Sequence, residues 1–168
     1  MLFHVSEESG IARFEPRVPE GGGEPVVWAI DDERLRNYLT PRDCPRVTFY
    51  SGLETTAGDR QRFLGSSAVV LAIEHGWHAR LQACRLYCYR FPGTNFACVD
   101  ECAGYFVSRD AVSPAGVDVV DDPLAALRRR GVELRILPNL WPLRDAVVAS
   151  TLQFSIIRMR NALPRTAA

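Results

Sequence analysis

Hydrophobic and polar positions fall along the chain in short blocks, and each block predicts an element. Residues 2–5 read as a first strand. Residues 9–24 carry neither a helical nor a strand period, and with Pro16, Pro19 and Gly21-Gly22-Gly23 they predict a mobile surface loop. Residues 25–30 are apolar and rich in β-branched and aromatic side chains, which predicts a buried strand. Asp31 and Asp32 start a helix bearing Leu35, Tyr38 and Leu39, and Pro41 ends it. Residues 47–50 form a third strand, and the polar stretch 52–65 a loop with a short helix. Residues 68–74 are a nearly unbroken apolar run of strand length, the mark of a central strand covered on both faces. A helical patch at 77–83 leads into a strand at 85–91, and two short strands at 105–108 and 117–120 flank a corner at Pro114. Asp121-Asp122-Pro123 opens a helix that Gly131 stops, and residues 132–137 alternate as a half-buried strand does. Residues 141 to about 161 predict the longest helix, with Leu143, Val147, Phe154 and Ile157 on one face.

Adjacent strands without helical crossovers argue against a doubly wound parallel sheet. The expectation is one α+β domain over residues 1–168, with a curved or split, mainly antiparallel sheet and three or four helices. An apolar share of 47% against 24% charged residues is the balance of a chain that buries a core. No run approaches ~18 apolar residues, so no membrane span is expected. The first residues lack a basic segment before an apolar one, so a cytoplasmic protein is expected.

Charge narrows the function classes. Twenty basic and twenty acidic residues cancel, and a neutral chain lacks the positive excess that non-specific nucleic-acid binding requires. Arg128-Arg129-Arg130 reads as a helix C-terminus, where cations meet the dipole favourably. Every basic residue is arginine. The absence of lysine excludes P-loop phosphate binding and lysine-based Schiff-base chemistry. Neither a dinucleotide-binding glycine pattern nor a nucleophile elbow is present, and His75 and His78 lack the spacing of a zinc protease.

The five cysteines, Cys44, Cys84, Cys88, Cys98 and Cys102, are odd in number, which argues against a disulfide framework. Cys84 and Cys88 bracket what reads as a strand, and four strand residues separate two sulfurs by roughly 13 Å. One zinc ion holds its sulfur ligands at ~2.3 Å, so this pair is not expected to share a metal. Reduced, mostly buried thiols and no metal site are expected.

The stretches LFHVSEESGIARFEPR, VVWAIDDERLRNYLTPRDCPRVTFY, AGYFVSRDAVSP, GVELRILPNLWPL and FSIIRMRNA resemble a bacterial family of uncharacterised proteins, a domain of unknown function, over nearly the whole chain. A second resemblance concerns the fold. A first strand of hydrophobic-His-hydrophobic order, an irregular loop, a strand and a helix are similar to bacterial ADP-ribosyltransferase-like domains. So is YFVSRDAVSPAGVDVV, a strand, a proline corner and a second strand. The resemblance implies NAD as cofactor or substrate, held at its ribose by the first-strand histidine and at its nicotinamide by an aromatic face. A glutamate just before the late strand would serve the reacting centre.

Carried over, His4 takes the first role, and Trp28 or Tyr50 the second. Gly104 stands directly before the late strand where the pattern has glutamate, and Glu101, with Asp100, is the nearest acid. The chemistry is coherent, because breaking a nicotinamide–ribose bond builds positive charge that a carboxylate stabilises. Arg42, stiffened between Pro41 and Pro45, is a separate candidate for gripping a phosphate. Each residue also has a structural alternative: His4 as a satisfied strand histidine, Trp28 and Tyr50 as packing aromatics, Glu101 as a loop acid, and Arg42 as the partner of Asp43. Two functions follow. One is a nucleotide- or NAD-handling enzyme of the ADP-ribosyltransferase-like kind. The other is a non-catalytic binding or interaction domain that kept such a fold without the glutamate. The oligomeric state is left open.

Overall fold

β-Branched and aromatic blocks separated by proline, glycine and aspartate build a strand-rich chain. A computed structural model describes residues 1–19 and 21–165. Glu20, within the loop expected at 9–24, lies outside the described residues. In chain order the elements are β1 (Leu2–Ser6), β2 (Val27–Ile30), β3 (Arg46–Tyr50), α1 (Ala57–Asp59), β4 (Val69–Glu74) and α2 (His75–Ala83). They continue with β5 (Leu86–Phe91), β6 (Ala97–Asp100), β7 (Tyr105–Ser108) and β8 (Gly116–Val120). Last come α3 (Pro123–Arg129), β9 (Val132–Leu137), α4 (Trp141–Val148) and β10 (Gln153–Ile157). A 3₁₀ turn at Arg34–Tyr38 follows β2, and a π turn at Arg60–Leu64 follows α1. The protein is α+β, as the strand pattern requires.

The chain divides into two units, each made of two segments. The first takes Met1–Leu39 and Arg85–Asp121. Its sheet has the order β6-β7-β2-β1-β5-β8 and is antiparallel throughout. One face carries Leu2, Val27, Ala29, Tyr89 and Phe91, which pack with Val112, Ile11 and Phe14. The irregular segment after β1 reaches this face through isolated bridges from Phe14 to Val112 and from Arg17 to Val26. The Tyr89 hydroxyl ties it further, accepting from Ile11 N at 3.0 Å and donating to Glu8 O at 2.8 Å.

The second unit takes Thr40–Cys84 and the chain from Asp122 onward. Its sheet has the order β10-β3-β4-β9, with β4 and β9 parallel and the other pairs antiparallel. Every residue of β4 is buried, which accounts for its unbroken apolar sequence. α3 begins where expected, the Asp122 side chain accepting from Ala125 N at 2.8 Å. It ends before Gly131 at φ +68°, a left-handed conformation that costs glycine little. Glu74, at the end of β4, is 2% exposed. Its carboxylate accepts from Leu140 N at 3.2 Å, at the entry to α4, and from Leu163 N at 3.0 Å.

The long helix expected at 141–161 is corrected: α4 stops at Val148, and residues 153–157 are the edge strand β10. One local contact and several distant in sequence set this boundary. Ser150 Oγ donates to Val147 O at 2.6 Å. Thr151 donates from its N–H and its hydroxyl to one Asp59 oxygen, at 2.8 and 2.6 Å. The chain then pairs with β3 in register, from Gln153 opposite Tyr50 to Ile157 opposite Arg46. Leu143 and Val147 face the core as expected, whereas Phe154 is 42% exposed on the strand. The strand β6 was not foreseen at all.

Candidate functional site

In the first unit, β1 pairs with β5 at five positions, from Leu2 opposite Phe91 to Ser6 opposite Tyr87. On its other side it pairs with β2 at a single position, Phe3 opposite Ile30. Beyond that point a side chain carries the link, because His4 Nδ1 lies 3.0 Å from Trp28 O. A carbonyl oxygen only accepts, so Nδ1 holds the proton, and in the neutral ring Nε2 is the lone-pair nitrogen. The His4 ring packs on Phe14, with centroids 4.9 Å apart, and Phe14 meets Tyr89 and Phe91 edge-on at 5.1 and 5.2 Å. His4 therefore turns its ring toward the core face.

Side chains alternate between faces along a strand, and residues opposite one another share a face. Phe3, Trp28, Ile30 and Tyr105 thus stand together on the other face. A cavity of about 330 Å³ lies there, lined by Phe3, His4, Val5, Trp28, Ala29, Ile30, Tyr38 and Tyr105. Trp28 is 40% exposed, a large apolar surface left open to solvent. It meets Tyr105 in a T-shape, centroids 5.7 Å apart with planes at 81°, so the two rings form an aromatic corner. Tyr38 closes a third side, its hydroxyl donating to that of Tyr105 at 3.0 Å.

Local sequence explains how these rings are held. Asp31 directly follows β2, and its Oδ1 accepts from Arg34 N at 2.7 Å, which sets the 3₁₀ turn that delivers Tyr38. Asp31 N donates to Gly104 O at 3.1 Å, docking the turn that precedes Tyr105. Gly104 has φ +66°, and a Cβ there would lie 2.5 Å from the Asp31 carboxylate. Glycine thus stands before the late strand for two independent reasons, conformation and close approach.

The residues singled out from sequence divide between places. His4 and Trp28 both line this cavity. Glu101 is exposed in the turn between β6 and β7, and Asp100 spends Oδ1 on Ala103 N at 2.8 Å. Neither acid is in the cavity lining. Arg42 is exposed and Tyr50 half-buried at the end of β3, and both belong to the second unit. Tyr38 and Tyr105 were missed as site residues, having been read only as helix-face and strand residues. The lining side chains include no carboxylate, guanidinium or thiol, so the arrangement suits recognition of a flat, weakly polar group.

The cysteines do not converge on this cavity. Cys84 lies beyond α2 and before β5, so strand spacing from Cys88 applies only from Leu86 onward. Cys44 and Cys88 are buried, and Cys98 and Cys102 are exposed. Burial pushes the Cys44 thiol up to about 12, against the pull of Arg46 and Arg80. Among the described residues no group of three or more His, Cys, Asp or Glu side chains is placed to hold a metal ion, and no helix is long and apolar enough to cross a membrane.

One family model, DUF6886, a family of unknown function, matches residues 3–162. No curated protein matches the chain, and no solved structure matches it either.

Proposed function

The chain belongs to the DUF6886 family of unknown function, and from its aromatic cavity we infer a binding domain that holds the planar ring of a nucleotide or NAD-type ligand. The observation that carries this reading is the corner of Trp28 and Tyr105, an open indole face beside a perpendicular phenol. A ring stacked on such a platform gains ~1–3 kcal/mol. A volume of about 330 Å³ falls at the small end of ligand pockets and suits one ring with its substituents.

Binding is favoured over ribosyl transfer for an electrostatic reason. Transfer needs a carboxylate beside the developing positive charge. Asp100 and Glu101 stand outside the lining, and Gly104 occupies the position where the transferase pattern has glutamate. Arg42 and Tyr50 play no part in this reading.

Calorimetry with nicotinamide, NAD, ADP-ribose and uridine tests it. At least one ring-bearing ligand should bind, and Trp28→Ala should weaken that binding by about tenfold to a hundredfold. The inference fails if none binds at millimolar concentration, or if Trp28→Ala leaves affinity unchanged. Release of nicotinamide from NAD by the purified protein would replace binding alone with transferase activity.

A further inference from the structure

We propose that the hydroxyl pair of Tyr38 and Tyr105 reads an exocyclic carbonyl on the bound ring, a specificity determinant that rests on the ring-binding reading above. Both tyrosines line the cavity, from elements far apart in sequence, and their hydroxyls are 3.0 Å apart. A phenol has one proton to give and lone pairs to receive. With Tyr38 donating to Tyr105, the proton of Tyr105 is not used within the pair. Receiving a hydrogen bond also polarises that hydroxyl and makes it a better donor.

The lining side chains of Phe3, Val5, Trp28, Ala29 and Ile30 carry no acceptor for it, and His4, whose Nε2 could accept, turns its ring to the core face against Phe14. The donor therefore suits an acceptor that arrives with the ligand. Geometry narrows the class further. Trp28 and Tyr105 stand at 81°, so a ring lying on the indole face turns its edge, where substituents project, toward the phenol. A carbonyl on that edge meets the hydroxyl, whether it belongs to a carboxamide, as in nicotinamide, or to the ring itself, as in uracil.

The experiment uses the whole chain and three probes. Nicotinamide and uridine carry the carbonyl in its two forms, and 3-methylpyridine keeps the nicotinamide ring without the carboxamide. Wild-type protein should bind nicotinamide or uridine at least tenfold more tightly than 3-methylpyridine. Tyr105→Phe removes only the hydroxyl. It should weaken the carbonyl ligands by about tenfold, the loss of one hydrogen bond, and leave 3-methylpyridine unchanged. Whichever carbonyl probe shows the larger loss identifies the source. If wild-type protein binds all three alike, or Tyr105→Phe changes none of them, the carbonyl assignment falls and ring binding stands. If the wild type binds no ring at all, both inferences fall together.

Discussion

Replacing Glu74 by leucine isolates what one buried carboxylate does. The side chain is 2% exposed, and its oxygens receive the N–H groups of Leu140 and Leu163. Leu140 is itself fully buried, so without Glu74 its N–H is stranded at the entry to α4. A buried donor left without a partner costs ~1–3 kcal/mol. Leu163 is 52% exposed, so water replaces part of its bond and the second loss is smaller. Apolar burial of the new leucine offsets some of the total, which leaves about 2 kcal/mol lost in Glu74→Leu. Glu74→Gln retains one acceptor oxygen and should cost about half as much. Urea unfolding at neutral pH reads both values, and an unchanged slope would show that the denatured state is not the cause. Hydrogen exchange at Leu140 should also speed up in the leucine variant. A Glu74→Leu chain within about 0.5 kcal/mol of wild type would refute the reasoning, because surface substitutions behave that way.

Three further outcomes are expected. A thiol reagent added to native protein at neutral pH should label Cys98 and Cys102 quickly and spare Cys44 and Cys88. Because folding raises the Cys44 thiol to about 12, the unfolded chain loses this proton first as pH climbs. Stability should therefore fall from about pH 9 towards 12, and Cys44→Ala should remove that part of the slope in urea titrations. Phe154→Ala should cost about 1 kcal/mol in the same assay, well short of the ~3–5 kcal/mol of a fully buried ring. A loss of the larger size would show that the 42%-exposed ring is packed after all.

What was legible in the sequence was what local chemistry decides. β4 announced itself because burial on both faces demands an unbroken apolar run. α3 did so because Asp122, Pro123 and Gly131 are its own start and stop signals. The end of α4 was hidden, since the hydrogen bonds that hold Thr151 come from Asp59, on a segment remote in sequence. β10 was hidden for a related reason: Phe154 and Ile157 fit a helical stripe as well as a strand, and only pairing with β3 decides between them. At the candidate site, His4 and Trp28 could be picked out by residue type. Tyr38 and Tyr105 could not, because topology unites them by seating β7 beside β2 and setting the 3₁₀ turn at the end of that strand. The one trace was Gly104 directly before Tyr105. It reads as a missing acid in the transferase pattern, and it is the glycine that Asp31 packs against.

The two-segment make-up of each unit sets an order of events as the chain leaves the ribosome. β1 emerges first and has only Phe3 opposite Ile30 to join until β5 has been made. The pair of β3 and β4 is the earliest ladder of any length, with all five of its positions drawn from residues 46–73. Its neighbours β9 and β10 are synthesised only after the first unit's last strand, β8. Ladders that wait for distant partners close slowly and leave strand edges open in the interval. A nascent chain halted before residue 116 therefore holds an unfinished sheet in both units, and neither unit can be obtained as one uninterrupted fragment.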